Sequence, residues 1–140
     1  MIPVLALDLE GTLISNAVSQ IPRPGLYKFL KEIKTISERL VMFTTVNEPK
    51  FRQIAQLLSD EETAPAWFKD IDYIFWDGPI KNLNFIPDAK VEECYLIDDQ
   101  EAYIASDQKT NWVYIQPFDY PYSNNDDELK SVLNKLYEMI

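Results

Sequence analysis

The strongest constraint on the fold is a set of short apolar runs, each cut off by an acid or a hydroxyl. Val4 to Leu9 carries Asp8 near its end, Leu40 to Thr44 finishes on a hydroxyl, and Glu93 to Ile97 stops at Asp98 and Asp99. Runs this short, without polar alternation, are the mark of strands buried on both faces. Trp112 to Ile115 reads as a further strand, and Tyr73 to Trp76 as a short one ended by Asp77-Gly78-Pro79.

Helical patterns fill the gaps. Pro22 and Pro24 introduce a stripe of Leu26, Phe29, Leu30 and Ile33, and Asn47 caps a second stripe of Phe51, Ile54, Ala55 and Leu58 with Pro49 in its first turn. A short helix is predicted through Tyr103 and Ile104. A closing helix, capped by Asn125 or Asp126, has the stripe Leu129, Val132, Leu133, Leu136 and Ile140, with Asp126-Asp127-Glu128 as a favourable acidic first turn. Strand, helix, strand, helix predicts a three-layer αβα, Rossmann-like domain over residues 1–140, with a mostly parallel sheet and right-handed crossovers. Ligands of open α/β sheets bind beyond the carboxyl ends of the strands. Asp8 and Glu10, Thr44 and Thr45, and Asp98 and Asp99 are therefore expected to converge on one crevice.

Composition removes most other chemistries. The chain has no histidine, which excludes a Ser-His-Asp triad, a Cys-His pair and a His-ligated zinc site. The lone Cys94 excludes an intrachain disulfide and a Cys-only zinc site, and reads as a core residue. With only Gly11, Gly25 and Gly78, no glycine-rich nucleotide loop can be written. A net charge of −10 and only thirteen Lys and Arg disfavour nucleic acid as a partner. No targeting or membrane-spanning segment is evident, and a reducing cytoplasm is expected. Carboxylates gathered without His or Cys suit Mg²⁺, which binds through one or two carboxylates, water and substrate phosphate.

Together these residues resemble the motifs of the haloacid dehalogenase superfamily, over nearly the whole chain. Its first motif stands as Asp8-Leu9-Glu10-Gly11-Thr12-Leu13, its second as Thr44, its third as Lys81 and its fourth as Asp98-Asp99, in family order. Arg23-Pro24-Gly25-Leu26-Tyr27-Lys28-Phe29-Leu30 is similar to a segment of the capless branch that includes RNA polymerase II carboxy-terminal-domain phosphatases and NLI-interacting-factor-like phosphatases. That branch also has a small insertion before the lysine, matched by Ile71 to Gly78. The resemblance implies a Mg²⁺-dependent phosphomonoester hydrolase without a cap domain. Asp8 would be the nucleophile that forms an aspartyl-phosphate, and Glu10 the proton carrier. Thr44 would hold a phosphoryl oxygen and Lys81 would neutralise its charge. Asp8, Asp98 and Asp99, with the backbone carbonyl of Glu10, would bind the metal. The family's usual residue at position 10 is Asp, although some members carry Glu.

An open site suits a bulky phosphorylated protein segment or assorted small phosphate esters. The alternatives are a protein-binding scaffold with a weak or inactive site, and a polynucleotide-end phosphatase, the latter opposed by the charge. A receiver domain is rejected, because there the acidic pair follows the first strand and the phosphorylated Asp the third. Trp67, Phe68, Tyr73, Phe75 and Trp76 form either a satellite cluster under the insertion or an exposed wall that grips substrate or partner.

Overall fold

The computed structural model describes residues 1–140. Five strands, β1 (Ile2–Leu7), β2 (Ser37–Met42), β3 (Asp72–Tyr73), β4 (Cys94–Asp98) and β5 (Trp112–Tyr114), form one sheet. Their order is β3-β2-β1-β4-β5 and every pairing is parallel, so the sheet is parallel throughout. β1 lies at the centre, with Leu5 opposite Leu40 of β2 and Tyr95 of β4. The chain leaves β1 in one direction across the sheet and later returns to its other side at β4. The switch point therefore falls between β1 and β4, where the crevice of such a sheet opens.

Three α-helices, α1 (Leu26–Ile36), α2 (Glu48–Asp60) and α3 (Glu128–Glu138), contribute their apolar stripes to one core with Leu5, Leu7, Leu40 and Met42. Leu5 and Leu7 have no exposure, and each such side chain contributes about 1.5–3 kcal/mol by leaving water. No loop separates α1 from β2. The backbone of Ser37 turns extended while its N–H and hydroxyl both bond to the Ile33 carbonyl, so the strand begins before the apolar run does. Asn47 caps α2 as expected, its Oδ1 accepting the Lys50 N–H at 3.0 Å.

The opposite face, Val4, Ala6, Val41, Phe43, Cys94 and Leu96, packs against Leu83, Ile86 and Ile104. It is covered by 3₁₀ turns at Leu83–Phe85, Val91–Glu93 and Glu101–Tyr103 instead of α-helices. The helix expected through Tyr103 and Ile104 is the last of these turns. Pro79 and Pro87 bracket the Leu83–Phe85 segment, and the Asn82 side chain caps its turn by accepting the Asn84 N–H at 2.8 Å.

Three details differ from the sequence reading. The strand expected over Tyr73 to Trp76 is reduced to Asp72–Tyr73, with one further ladder bond from Ile74 N–H to the Met42 carbonyl at 2.9 Å. Beyond it Phe75 faces solvent. The closing helix is preceded by Asp127, not Asn125 or Asp126, and it ends before Ile140, which is exposed. Asp126, one residue earlier, pairs with Arg23 and still accepts the Glu128 N–H at 3.2 Å, so it supplies the side-chain contact to the helix start. No cap domain is present: the loop after β1 folds on itself through bridges of Ile14 with Glu10 and Pro22, and the insertion before Lys81 adds a 3₁₀ turn (Ala66–Asp70) and the edge strand β3. No helix is long and apolar enough to cross a membrane.

Candidate active site

The carboxyl ends of β1 and β4 meet side by side. The Asp8 N–H donates to the Ile97 carbonyl at 3.0 Å, which fixes the first acid beside the Asp98-Asp99 pair. Ligand oxygens of Asp8, Asp98 and Asp99 all lie within 4.8 Å of one another. Three buried carboxylates so close repel one another, and the fold answers with Lys81. Its ammonium donates to Asp8 Oδ1 at 2.8 Å and to Asp98 Oδ2 at 2.6 Å, and Lys81 is 1% exposed.

Lys81 comes from an irregular segment, yet that segment is pinned at both ends. The Lys81 N–H bonds to the Tyr103 carbonyl at 2.8 Å, and the Leu83 N–H bonds to Oε1 of the buried Gln108 at 2.9 Å. The ammonium also lies 4.9 Å from the centroid of the Tyr103 ring.

Thr12 supplies a second clamp on Asp8, its hydroxyl donating to Oδ2 at 2.8 Å. Both oxygens of Asp8 are thus oriented, one by Lys81 and one by Thr12. The oxygens of Asp98 are likewise taken, by Lys81 and by the Gln100 N–H at 2.9 Å, and this residue has no exposure. Asp99 instead lines the open cavity, where its Oδ2 accepts from Gln100 Nε2 at 3.1 Å. Gly11 allows this. It sits at φ +75°, and a Cβ there would stand 2.4 Å from Asp99 Oδ2.

Charge and burial set the protonation of the cluster. Burial pushes Asp8 up from 3.8 to about 6 against the pull of Lys81, and it pushes Asp98 to about 6 with Asp8 adding to the rise. Asp99 is also raised by burial, partly offset by hydrogen bonds with Asp8 and Gln100. Burial alone would lower Lys81, but the charges of Asp8 and Asp98 outweigh it and hold the ammonium above its ordinary value. A group of acids lifted in this way favours a cation, and an all-oxygen donor set favours a hard one.

The cavity above the cluster has a volume of about 370 Å³ and is lined by Asp8, Glu10, Asp99, Tyr103 and Asp119 among others. Glu10 stands apart from the three-aspartate cluster. The Ala17 N–H donates to its Oε2 at 2.7 Å, and the residue lines the cavity. Thr44 is buried at the end of the strand next to β1, and its Oγ1 accepts the Val46 N–H at 3.1 Å. It lines a neighbouring cleft, and only Thr45 borders both openings. The six residues singled out from the sequence thus gather around one sheet edge, with Asp8, Asp98 and Asp99 clustered, Lys81 bonded to the first two, and Glu10 and Thr44 at the flanks.

The family model of NLI interacting factor-like phosphatases matches residues 3–140. The chain belongs to that family. Membership carries a phosphatase function and a phosphorylated substrate, and the α/β fold without a cap agrees with it. No curated protein sequence matches the chain.

Two residues of this NLI interacting factor-like phosphatase were not marked as site residues by the sequence. Thr12 lay within the quoted first motif, so its place four residues after Asp8 was the available signal. Arg23 was visible only as part of Arg23-Pro24-Gly25. It is 1% exposed and donates to the carbonyls of Gly11, Thr12 and Gln116 and to both oxygens of Asp126. It therefore ties the loop of the first motif to the segment that carries Asp119, and Asp126 serves both Arg23 and the start of α3, where its Oδ1 accepts the Glu128 N–H at 3.2 Å.

Proposed function

We infer that the protein hydrolyses phosphomonoesters with Mg²⁺, using Asp8 as a carboxylate nucleophile at an open site. The observation that carries this reading is Asp8, oriented at both oxygens, standing between a buried lysine and a cavity-facing Asp99. Asp8 and Asp99, which line the cavity, would hold the ion with the Glu10 carbonyl, while Asp98, which has no exposure and lies outside the cavity lining, would position Lys81 and the Gln100 turn. When bound, the ion would offset the repulsion between two anions and polarise a phosphoryl oxygen.

The steps proper to the chain follow from the side chains. An Asp8 oxygen attacks phosphorus as the ester oxygen departs, and Glu10 delivers a proton to that oxygen. Lys81 balances charge on the equatorial oxygens. Because Thr44 Oγ1 accepts from Val46, its own proton is free for a phosphoryl oxygen. Glu10, now ionised, takes a proton from water, which attacks phosphorus and releases Asp8 and inorganic phosphate. The backbone hydrogen bond from Ala17 holds the longer Glu10 side chain in one orientation for both transfers. Without a cap over it, the site admits a phosphorylated side chain still attached to protein.

The test is hydrolysis of an aryl phosphate and of serine phosphopeptides with and without Mg²⁺. Turnover is expected to need the ion, to vanish with chelator, and to fall by about three orders of magnitude or more in Asp8→Asn, as removal of a covalent nucleophile does. Wild-type protein that turns over none of these with Mg²⁺ present would leave a protein-binding scaffold as the better account.

A further inference from the structure

Beside the carboxylate cavity lies a cleft of about 420 Å³ whose walls include Tyr73, Phe75, Trp76 and Asp77. Thr45 borders both openings, so a substrate with its phosphoryl group at Asp8 has the cleft within reach of its neighbouring atoms. Phe75 is 70% exposed, although it stands beside a strand and next to two other aromatics. Its ring meets Tyr73 edge-on at 5.1 Å between centroids.

The wall is rigid. Trp76 Nε1 donates to the Thr44 carbonyl at 2.8 Å, and its ring packs edge-on against Phe43 at 5.6 Å. The Tyr73 hydroxyl donates to the Val46 carbonyl. Both anchors are on the strand end that carries Thr44, so the aromatic faces are fixed relative to the phosphoryl site.

Charge selects the occupant. Asp77 is the one charged residue in the lining of the cleft, and Asp8, Glu10, Asp99 and Asp119 line the cavity next to it. Neither lining includes a lysine or arginine, and the whole chain carries −10. Fixed aromatic faces bordered by a carboxylate attract a guanidinium or an ammonium, through the ring quadrupole and through the ion pair.

We propose that this cleft is a specificity subsite for a cationic side chain of a phosphorylated peptide. The peptide crosses Thr45 with its phosphoryl group at Asp8. An arginine or lysine close to the phosphorylated residue lies over Phe75 and Trp76 and pairs with Asp77. The proposal rests on the phosphatase reading of Asp8 and narrows its substrate to basic phosphopeptides.

The experiment uses serine phosphopeptides in which each position within two residues of the phosphoserine is in turn arginine, alanine or glutamate. At one position or more, kcat/KM for arginine is expected to exceed that for alanine about tenfold, with glutamate lowest. Phe75→Ala and Asp77→Asn should each reduce the arginine-to-alanine ratio about threefold or more, and Phe75→Tyr should restore it. A ratio near one at every position overturns the proposal, and so does a ratio that survives both substitutions. If wild-type protein turns over neither the peptides nor an aryl phosphate, the phosphatase reading fails. The same peptides then decide the cleft by affinity, read from tryptophan fluorescence: an arginine preference lost in Phe75→Ala upholds it, and equal affinities overturn it.

Discussion

The oxygens of the aspartate cluster are divided between two duties, and the division is set by single residues. Asp98 gives both oxygens to Lys81 and the Gln100 N–H, whereas Asp99 reaches the cavity because position 11 has no side chain. Gly11→Ala introduces a Cβ at φ +75° that collides with Asp99 Oδ2. It is expected to weaken Mg²⁺ binding at least tenfold by calorimetry, while thermal unfolding shows a folded protein. Unchanged affinity would remove Asp99 from the metal site. The convergence of Asp8, Asp98 and Asp99 was legible in the sequence because each follows a buried run, and the rule for parallel sheets places such residues at one edge. The unequal duties of Asp98 and Asp99 were not legible. They depend on which way each carboxylate turns after the strand, and adjacent residues of a strand face opposite sides.

At the scale of elements, the buried ion pair of Arg23 and Asp126 joins the first-motif loop to the segment that leads into α3. Arg23 also donates to three backbone carbonyls, so its two partners are unequal in consequence. Arg23→Met removes this donor from the Thr12 and Gln116 carbonyls and leaves a largely buried carboxylate without its cation, and should cost about 3–5 kcal/mol. Asp126→Asn leaves Arg23 its backbone acceptors and should cost about 1–2 kcal/mol. Urea unfolding of the two variants checks this, and equal losses would show that the carbonyl contacts contribute nothing. Neither partner could be paired from sequence, since 103 positions separate them and Asp126 fits a helix start equally well. The helices facing Leu5 and Leu7 were legible from their 3.6-residue stripes. The opposite cover was not, because 3₁₀ turns at Leu83–Phe85 and Glu101–Tyr103 are too short to show a period. The strand expected at Phe75 and Trp76 failed for a related reason: aromatic residues favour strands, but here one ring is fixed to the Thr44 carbonyl and the other is left in solvent.

For the whole molecule, the raised acids couple stability to pH. A carboxyl whose folded value lies above its unfolded one binds its proton more tightly in the native state. Asp8 and Asp98 rise from 3.8 to about 6. Their contribution is therefore fully present below about pH 4 and is lost as the pH climbs through about 6. We regard residues 1–140 as one cooperative unit, and in chelator the chain should unfold in a single transition with a higher midpoint near pH 5 than near pH 7.5. Mg²⁺ should raise the midpoint at pH 7.5 and do little at pH 5, where protons compete for the same oxygens. A midpoint that rises steadily with pH in chelator would mean that these acids are not held in the protonation states their burial imposes.

Lys81 brings one positive charge into the acidic centre as part of the polypeptide itself, so the nascent chain carries a counter-ion that dilution cannot remove. On the proposed metal-dependent reading, assembly and loading become separate events in time. A shortage of free divalent ion would idle the finished molecule without unravelling it, and resupply would restart it with no need to build it anew.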